Sequence, residues 1–228
     1  MPRMRGFGTR ARATFAALLM TALLSACVGG VEQRRPIRSS STRPVPHDNL
    51  GFRQCAAQLD AAAIRYQPLP NEDKGGGCTL IDTIKLMDFG VPSTNLGPMT
   101  CPLAANFAAW ARYGVAPAAR LYLGADVVRI ETFGTYACRN IIGNPNIAGR
   151  RSEHAHANAV DVSGFVLSDG RRITIQNDWT QDSPASQFLH VIRASACRRF
   201  RSVLSPDYNA AHYNHLHFDM GGRGIYCR

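Results

Sequence analysis

Residues 152–161 read SEHAHANAVD, and a second histidine-rich stretch, residues 212–217, reads HYNHLH. Six of the seven histidines lie after residue 150, and five of those six belong to these two stretches. A single histidine is most often a surface residue or a hydrogen-bonded core residue, so the clustering is the informative observation. Zinc accepts imidazole and carboxylate ligands, and a catalytic zinc site keeps one position open. His154, Asp161 and His217 are therefore the candidate metal ligands.

The second stretch also offers groups for chemistry beside a metal. His215 and His217 lie two apart on a strand predicted over residues 215–219, so their side chains share a face. One of them can bind the metal while the other faces the group that the metal polarises. Asp219, two residues beyond His217, is a candidate carboxylate for a hydrogen bond to a ligand histidine.

The chain around these stretches predicts strands and helices in mixed order. Residues 63–69, 79–86, 127–133 and 162–167 have extended or β-branched character, and residues 70–77 read as a polar loop. Asp169-Gly170 between apolar runs indicates a hairpin that returns over residues 171–175, which puts Asp161 on or just before a strand.

Three helices complete the predicted fold. One covers residues 53–62, and a second begins at Pro102, carries Trp110 as a core residue and is interrupted at Gly114 and Pro117. The third begins at the Ser183-Pro184 cap, with an apolar stripe that extends to Phe200. The sequence predicts an α+β fold, a small antiparallel sheet with helices packed to one side.

Residues 1–26 are predicted to be a lipoprotein signal peptide. An arginine-rich start precedes an apolar run over residues 13–24, shorter than the about 20 residues that span a bilayer. The run ends in Leu24-Ser25-Ala26-Cys27, which resembles the lipobox of bacterial lipoproteins and implies acylation of Cys27. The alternative is an ordinary secretory signal cut near Ala26. Residues 27–48, rich in Arg, Pro and Ser, are then a flexible tether, and the domain covers residues 49–228.

The remaining cysteines predict a disulfide-stapled domain. Assigning Cys27 to lipid leaves six of seven, an even number that suits an oxidising compartment. The pairing stays open, and no Cys-x-x-Cys pair indicates a cysteine zinc site or a thioredoxin-like centre. The disulfide candidates are Cys55, Cys78, Cys101, Cys138, Cys197 and Cys227.

Nucleic-acid binding is a poor inference from the formal charge of +10. Residues 1–26 carry four of the positive charges with no acid, and residues 27–48 carry a further net +2, so the domain holds only +4. The basic tether is instead suited to an anionic membrane or wall surface.

Several motifs together resemble the bacterial extensin-like C-terminal family over residues 52–228. Ser152-x-His154 with Ala159-x-Asp161 and a later His215-x-His217 also resembles the signature of lysostaphin-type, D-Ala-D-Ala and hedgehog-type zinc domains. This resemblance implies that His154, Asp161 and His217 hold Zn²⁺. The motifs of the closer family are Gly77-Cys78, Met99-Thr100-Cys101, residues 135–139, residues 152–161, Asp178-Trp179 and residues 206–219.

The same resemblance implies which residues act on a substrate. His212-x-x-His215-x-His217 is similar to the penicillin-insensitive murein endopeptidases, whose acid–base groups are histidines, so His215, with His212, is the candidate base. Arg139 resembles an arginine that faces a substrate carboxylate or a developing oxyanion; a surface salt bridge is the alternative. Asn214 stands where dipeptidases place a glutamate, and Ala157 stands where the wider signature has glycine.

Other residues near these motifs have simpler interpretations. Ser152 orders its loop, and His156 is read as an exposed histidine that shares strand parity with His154. Asp178-Trp179 is read as a capped loop with a packed tryptophan, and the wall of a substrate groove is the alternative. His47 and His190 receive no role.

We expect a monomeric, periplasm-facing cell-envelope lipoprotein, since a lipid anchor and disulfides indicate that compartment. Val28 after the cysteine favours the outer membrane over the inner one. Peptidoglycan is the polymer within reach, so the expected function is zinc-dependent cleavage of its peptide crosslinks, as an endopeptidase or a carboxypeptidase. The alternative is a non-catalytic wall-binding or structural lipoprotein that retains the zinc scaffold, and a disulfide-stapled adhesion module ranks last.

Overall fold

The two histidine-rich stretches meet in a six-stranded sheet. The computed structural model describes residues 49–228, so the predicted signal peptide, Cys27, His47 and the tether lie outside the described residues. The helices are α1 (Leu50–Ala61), α2 (Cys101–Trp110), α3 (Ala116–Leu123), α4 (Ile175–Asp178) and α5 (Pro184–Ala196). The strands are β1 (Arg65–Pro68), β2 (Glu72–Gly75), β3 (Cys78–Leu80), β4 (Thr83–Asp88), β5 (Met99–Thr100), β6 (Val127–Gly134), β7 (Ala159–Leu167), β8 (Arg172–Thr174), β9 (Ser202–Leu204), β10 (Leu216–Asp219) and β11 (Tyr226–Cys227).

The large sheet has the order β11-β9-β10-β7-β6, and β8 pairs with β7. β7 lies at its centre: β6 runs along one edge, while β10 and β8 pair with the first and second halves of the other. All pairings are antiparallel except β11 with β9. The predicted α+β class is confirmed, with a second sheet β1-β4-β5 and the hairpin β2-β3 beside it.

A β-bulge in β7 changes which face of the sheet the side chains of its first half point to. Glu131 of β6 pairs with Gly164, but its neighbour Thr132 pairs with Val162, so Ser163 is an extra residue on β7. Val162 before the bulge and Phe165 after it are both buried in the core, although strict alternation would put them on opposite faces. The bulge therefore leaves Asp161 on the face opposite the core.

Trp110 at the end of α2 is the centre of the helix–sheet packing. Its ring contacts Phe165 of β7 and Phe218 of β10, at centroid distances of 6.2 and 4.9 Å. Its Nε1 donates to the carbonyl of Ile192 in α5 at 2.9 Å. Burial of a large aromatic ring with its polar atom satisfied stabilises the fold strongly, and the prediction that Trp110 is a core residue is confirmed.

The prediction that the second helix is interrupted at Gly114 and Pro117 was wrong. The chain continues from α2 through a π-type turn, Ala111–Val115, directly into α3. Pro117 stands in the first turn of α3, where its missing N–H removes no hydrogen bond within α3. Gly114 lets α5 approach closely, since a Cβ there would lie 2.7 Å from the Ser195 hydroxyl.

Three further expectations about elements need correction. Residues 70–77 contain β2, and the strand expected over residues 79–86 is broken into β3 and β4 at Asp82, whose φ is 51°. Phe200 is buried but lies beyond the end of α5. These are short or irregular elements, which hydrophobic periodicity does not detect.

None of the helices within residues 49–228 is long and apolar enough to cross a membrane.

The predicted three disulfides are present. Cys55–Cys101 joins α1 to the start of α2, and Cys197–Cys227 joins the end of α5 to β11. Cys78–Cys138 joins β3 to the segment after β6 that carries Arg139. The pairing was not predictable, because it depends on which chain ends the sheets bring together.

We expect the double variant Cys78→Ala/Cys138→Ala to lose about 4 kcal/mol of unfolding free energy. The bond joins residues 60 apart, so its loss frees a long loop in the unfolded chain. Denaturant unfolding of the oxidised proteins measures the difference. The pair Cys197–Cys227, 30 residues apart, is the comparison and is expected to lose slightly less. Unchanged stability in both double variants would contradict the expectation.

Candidate metal centre and its cavity

His154 is presented by a short 3-10 turn, Glu153–His156, immediately before β7. Ser152 caps this turn, its hydroxyl accepting from the His154 amide at 3.4 Å, as expected of a loop-ordering serine. Ala157 ends the turn in the left-handed region, at φ 51° and ψ 30°. An alanine therefore adopts here the left-handed conformation that glycine favours.

Asp161 and His217 are brought together by strand pairing. They are direct partners in the antiparallel β7–β10 ladder, which places both side chains on one face. His217 Nδ1 lies 2.8 Å from Asp161 Oδ1, and His154 Nε2 lies 3.1 Å from Asp161 Oδ2. His154 Nε2 is 3.3 Å from His217 Nδ1. All three predicted ligands are buried and their donor atoms converge.

The outer nitrogen of each imidazole determines which atom faces the centre. His154 Nδ1 lies 3.2 Å from the Thr135 carbonyl, which only accepts, so Nδ1 carries the hydrogen and Nε2 is bare. His217 Nε2 lies 3.0 Å from Asp219 Oδ2, and the same argument leaves its Nδ1 bare when the ring is neutral. Three lone-pair donors then point at one another, an arrangement that either a metal ion or a proton on His217 Nδ1 can satisfy.

Asp219 takes the position that the sequence suggested for it. Its Oδ2 faces His217, and its Oδ1 accepts from the Gly221 amide at 2.9 Å, so the carboxylate is held from both ends. A carboxylate behind a ligand histidine orients the ring and raises its basicity.

The donor set fits zinc. Tetrahedral coordination at ordinary Zn–N and Zn–O bond lengths puts ligand atoms about 3.3 Å apart. The two separations that involve His154 are 3.1 and 3.3 Å, while the shorter 2.8 Å between His217 and Asp161 suits a shared proton. Three protein ligands leave one position for water or substrate.

Without a metal ion, a proton on His217 balances the negative charge at the centre. Burial by itself raises the pKa of Asp161, but the contacts of its carboxylate with His154 and His217 outweigh this effect and hold that pKa well below its ordinary value. Burial by itself lowers the pKa of His217, but hydrogen bonds to Asp161 and Asp219 raise it to about 9. The metal-free centre is thus an imidazolium between two carboxylates.

His215 and His212, the predicted bases, both lie beside this centre. His215 precedes β10 rather than lying in it, and its Nε2 is 3.6 Å from Asp161 Oδ1. His212 ends a second 3-10 turn, Ala210–His212, with its ring 5.1 Å from that of His215 and 6.0 Å from that of His217. The structure therefore places four histidines in one cluster.

Two asparagines contact these histidines, and of the two the sequence singled out only Asn214, as a departure from the dipeptidase pattern. Asn209 Oδ1 lies 2.7 Å from His212 Nδ1, and Asn214 Oδ1 lies 2.9 Å from His215 Nδ1. Each contact leaves Nε2 as the free nitrogen of its ring. Asn209 stands three residues before His212 as the cap of its turn, and this local signal could have identified it.

Both candidate bases are neutral near pH 7. Burial, together with the neighbouring His215 and His217, lowers the pKa of His212 to about 4. Burial also lowers the pKa of His215, against the attraction of Asp161. Each ring therefore presents an unprotonated nitrogen to the site.

A cavity of about 430 Å³ opens beside the cluster. Its wall includes His212, His215 and His217 together with both polar and apolar side chains. Arg139 lines it and, within residues 49–228, makes no ion pair; its guanidinium donates only to the neighbouring Asn140 carbonyl, at 3.2 Å. Arg151 is instead held by Gly76 and Asn140. Other residues that line the cavity are Ile141, Ile142, Ile147, Arg150, Tyr208 and Tyr226.

The remaining predicted residues lie away from this cavity. His156 is in the 3-10 turn, not in a strand, and is half-buried with Nδ1 3.0 Å from the Thr79 hydroxyl, so its reading as an exposed strand residue was wrong. His190 stacks on Trp179 with centroids 4.1 Å apart. Asp178 accepts from the Thr174 amide at 2.8 Å but belongs to α4, so the expected capped loop is a helical turn, while Trp179 is buried as expected.

A model of the extensin-like protein C-terminus matches residues 53–228. The chain belongs to this family. The match covers nearly all of the described domain and includes every residue of the histidine cluster. Comparison with curated proteins and with solved structures found no match for this chain.

We expect the metal-free protein to lose about 3 kcal/mol of stability as the pH rises through 9. The pKa of His217 is raised in the folded state, so its contribution is complete below the unfolded value of 6.5 and is lost as the pH passes about 9. Unfolding in chelator from pH ~7 to ~10 avoids the titration of His212 and His215. The variant His217→Gln is expected to lack this decline. An equal decline in both proteins would contradict its assignment to His217.

Proposed function

We propose that this extensin-like domain is a zinc-dependent peptidase that cleaves peptide crosslinks of peptidoglycan. In addition to the family membership, the proposal assumes a relationship to the zinc metallopeptidases. The two histidine-rich stretches resemble the signature of those enzymes. The observation that carries it is the convergence of His154, Asp161 and His217, three buried donors with two neutral imidazoles beside them.

His154, Asp161 and His217 would hold the ion, with Asp219 and the Thr135 carbonyl orienting the two imidazoles. Zinc, when bound, supplies a Lewis acid that polarises a peptide carbonyl and makes water more acidic. Two histidines and one carboxylate are a ligand set found in catalytic zinc sites.

The chain's own residues perform the proton transfers. His215 Nε2 lies nearest the centre and accepts a proton from the attacking water, with His212 as the second candidate. Water oxygen bonds to the carbonyl carbon, the C–N bond breaks, and the imidazolium returns the proton to the leaving amine. Both rings are neutral near pH 7, which is the state that this step requires.

The cavity favours a peptide that carries a carboxylate. Arg139 has no carboxylate partner among the described residues, and a guanidinium pairs with a carboxylate through two parallel hydrogen bonds. Apolar and aromatic side chains, among them Ile141 and Tyr226, cover the rest of the wall. Peptidoglycan stem peptides combine free carboxylates with short aliphatic side chains, so they suit this lining.

The location follows from the N-terminal region, which lies outside the described residues. A lipid on Cys27 and a basic tether over residues 27–48 would hold a monomeric domain in the periplasm, with the outer membrane favoured. Three disulfides suit that oxidising compartment. Peptidoglycan lies within reach of such an anchor.

We expect one zinc ion per chain, lost in the variant Asp161→Asn. An amide is a poor zinc ligand, and removal of the buried carboxylate should lower zinc affinity at least ~100-fold. Metal analysis after dialysis and calorimetric titration measure stoichiometry and affinity. Asp169→Asn is the matched control, because Asp169 is exposed and pairs with Arg171. Equal zinc binding by both variants would rule out the assigned site.

We expect the zinc-loaded domain to convert crosslinked muropeptide dimers to monomers, and chelator to stop it. His215→Ala should lower kcat/KM about 100- to 10,000-fold, because a general base contributes on that scale. His156→Ala is the matched control, since His156 contacts Thr79 outside the cavity. Chromatography of the products with mass analysis identifies the cleaved bond and separates endopeptidase from carboxypeptidase activity.

The same assay also gives the results that would contradict the peptidase proposal. Binding of one zinc ion with no bond cleaved would replace the proposal by the wall-binding lipoprotein that keeps the scaffold. Loss of activity in His156→Ala equal to that in His215→Ala would show that the assigned base is wrong.

A further inference from the structure

Asn209 contacts three groups at the edge of the cavity. Its Oδ1 accepts from the Ala211 amide at 3.0 Å and lies 2.7 Å from His212 Nδ1, and its Nδ2 donates to the Gly143 carbonyl at 3.1 Å. An amide N–H only donates and a carbonyl only accepts, so these partners determine which side-chain atom is oxygen. His212 Nδ1 must then carry the hydrogen.

Gly143 lies in a loop, residues 141–147, whose neighbouring side chains line the cavity. Ile141, Ile142 and Ile147 from the same loop line the cavity, and Gly143 has a φ of 82°. A Cβ on Gly143 would lie 2.7 Å from the Ala211 Cβ, so the wall packs directly on the 3-10 turn that carries His212. The Tyr208 hydroxyl lies 3.4 Å from Asn144 Nδ2 and joins the two segments a second time.

We propose that Asn209 is a positioning residue, which holds His212 in the Nδ1–H tautomer and ties that orientation, through Gly143, to the loop that lines the cavity. The bare Nε2 is then the nitrogen available in the cavity. This inference rests on the proposed function for its catalytic consequence, but the orientation of the ring can be measured without turnover. A substrate that fills the cavity contacts the same wall that Asn209 joins to His212.

The test compares Asn209→Leu with Asn209→Asp in the purified chain, with and without one equivalent of zinc. Leucine keeps the approximate size and removes all three hydrogen bonds, while aspartate keeps the acceptor for Ala211 and His212 and removes the donor to Gly143. Nitrogen-15 NMR of labelled histidines near pH ~8 reports the tautomer, because protonated and bare ring nitrogens differ widely in chemical shift. His212→Gln assigns the signal, and circular dichroism checks folding.

We expect Asn209→Leu to populate the Nε2–H tautomer of His212 and to lower kcat about 10- to 100-fold on muropeptide dimers, with KM little changed. Asn209→Asp should retain the Nδ1–H tautomer and recover most of kcat. Asn177→Leu, the same change at an exposed position of α4, should match the unmodified chain in both measurements.

Retention of the Nδ1–H tautomer in Asn209→Leu would overturn the inference, as would a changed tautomer with unchanged kcat. A loss of both tautomer and kcat in Asn209→Asp equal to that in Asn209→Leu would also overturn it. If the unmodified chain cleaves no peptide, the peptidase proposal fails alone, and the tautomer still decides whether Asn209 orients His212.

Discussion

A buried carboxylate needs a compensating positive charge, and the centre of this domain is built around that requirement. Asp161 has no lysine or arginine partner within the described residues; its partners are His154, His215 and His217. An uncompensated charge at this depth would cost several kcal/mol. Either a proton on His217 or a metal ion can supply the charge, and the two exclude one another because both occupy the His217 Nδ1 lone pair.

The β7–β10 pairing holds this arrangement together. It sets Asp161 opposite His217 on one face and Val160 opposite Phe218 on the other, where Trp110 packs. The same four-residue strand thus connects the hydrophobic core to the charged centre. Core packing and donor geometry are coupled for this reason, and a loss of either would displace the other.

The sequence predicted the residues of the centre better than the contacts that orient them. Chemical type and clustering singled out His154, Asp161 and His217, because few side chains bind zinc. The roles of Asn209 and Thr135 depend on loops that approach from distant parts of the chain, and Thr135 contacts His154 through its backbone carbonyl. Periodicity also missed the π-type turn before α3, since its apolar pattern resembles an interrupted helix.

The bulge at Ser163 has a consequence for recognising similar sites in other chains. β7 uses nine residues, one of which is absorbed by the bulge and does not advance the pairing with β6. A chain without that residue could keep the same core and the same carboxylate. The number of residues between Asp161 and the later apolar positions is therefore a weak criterion for alignment, whereas the spacing from His154 to Asp161 precedes the bulge and is a strict one.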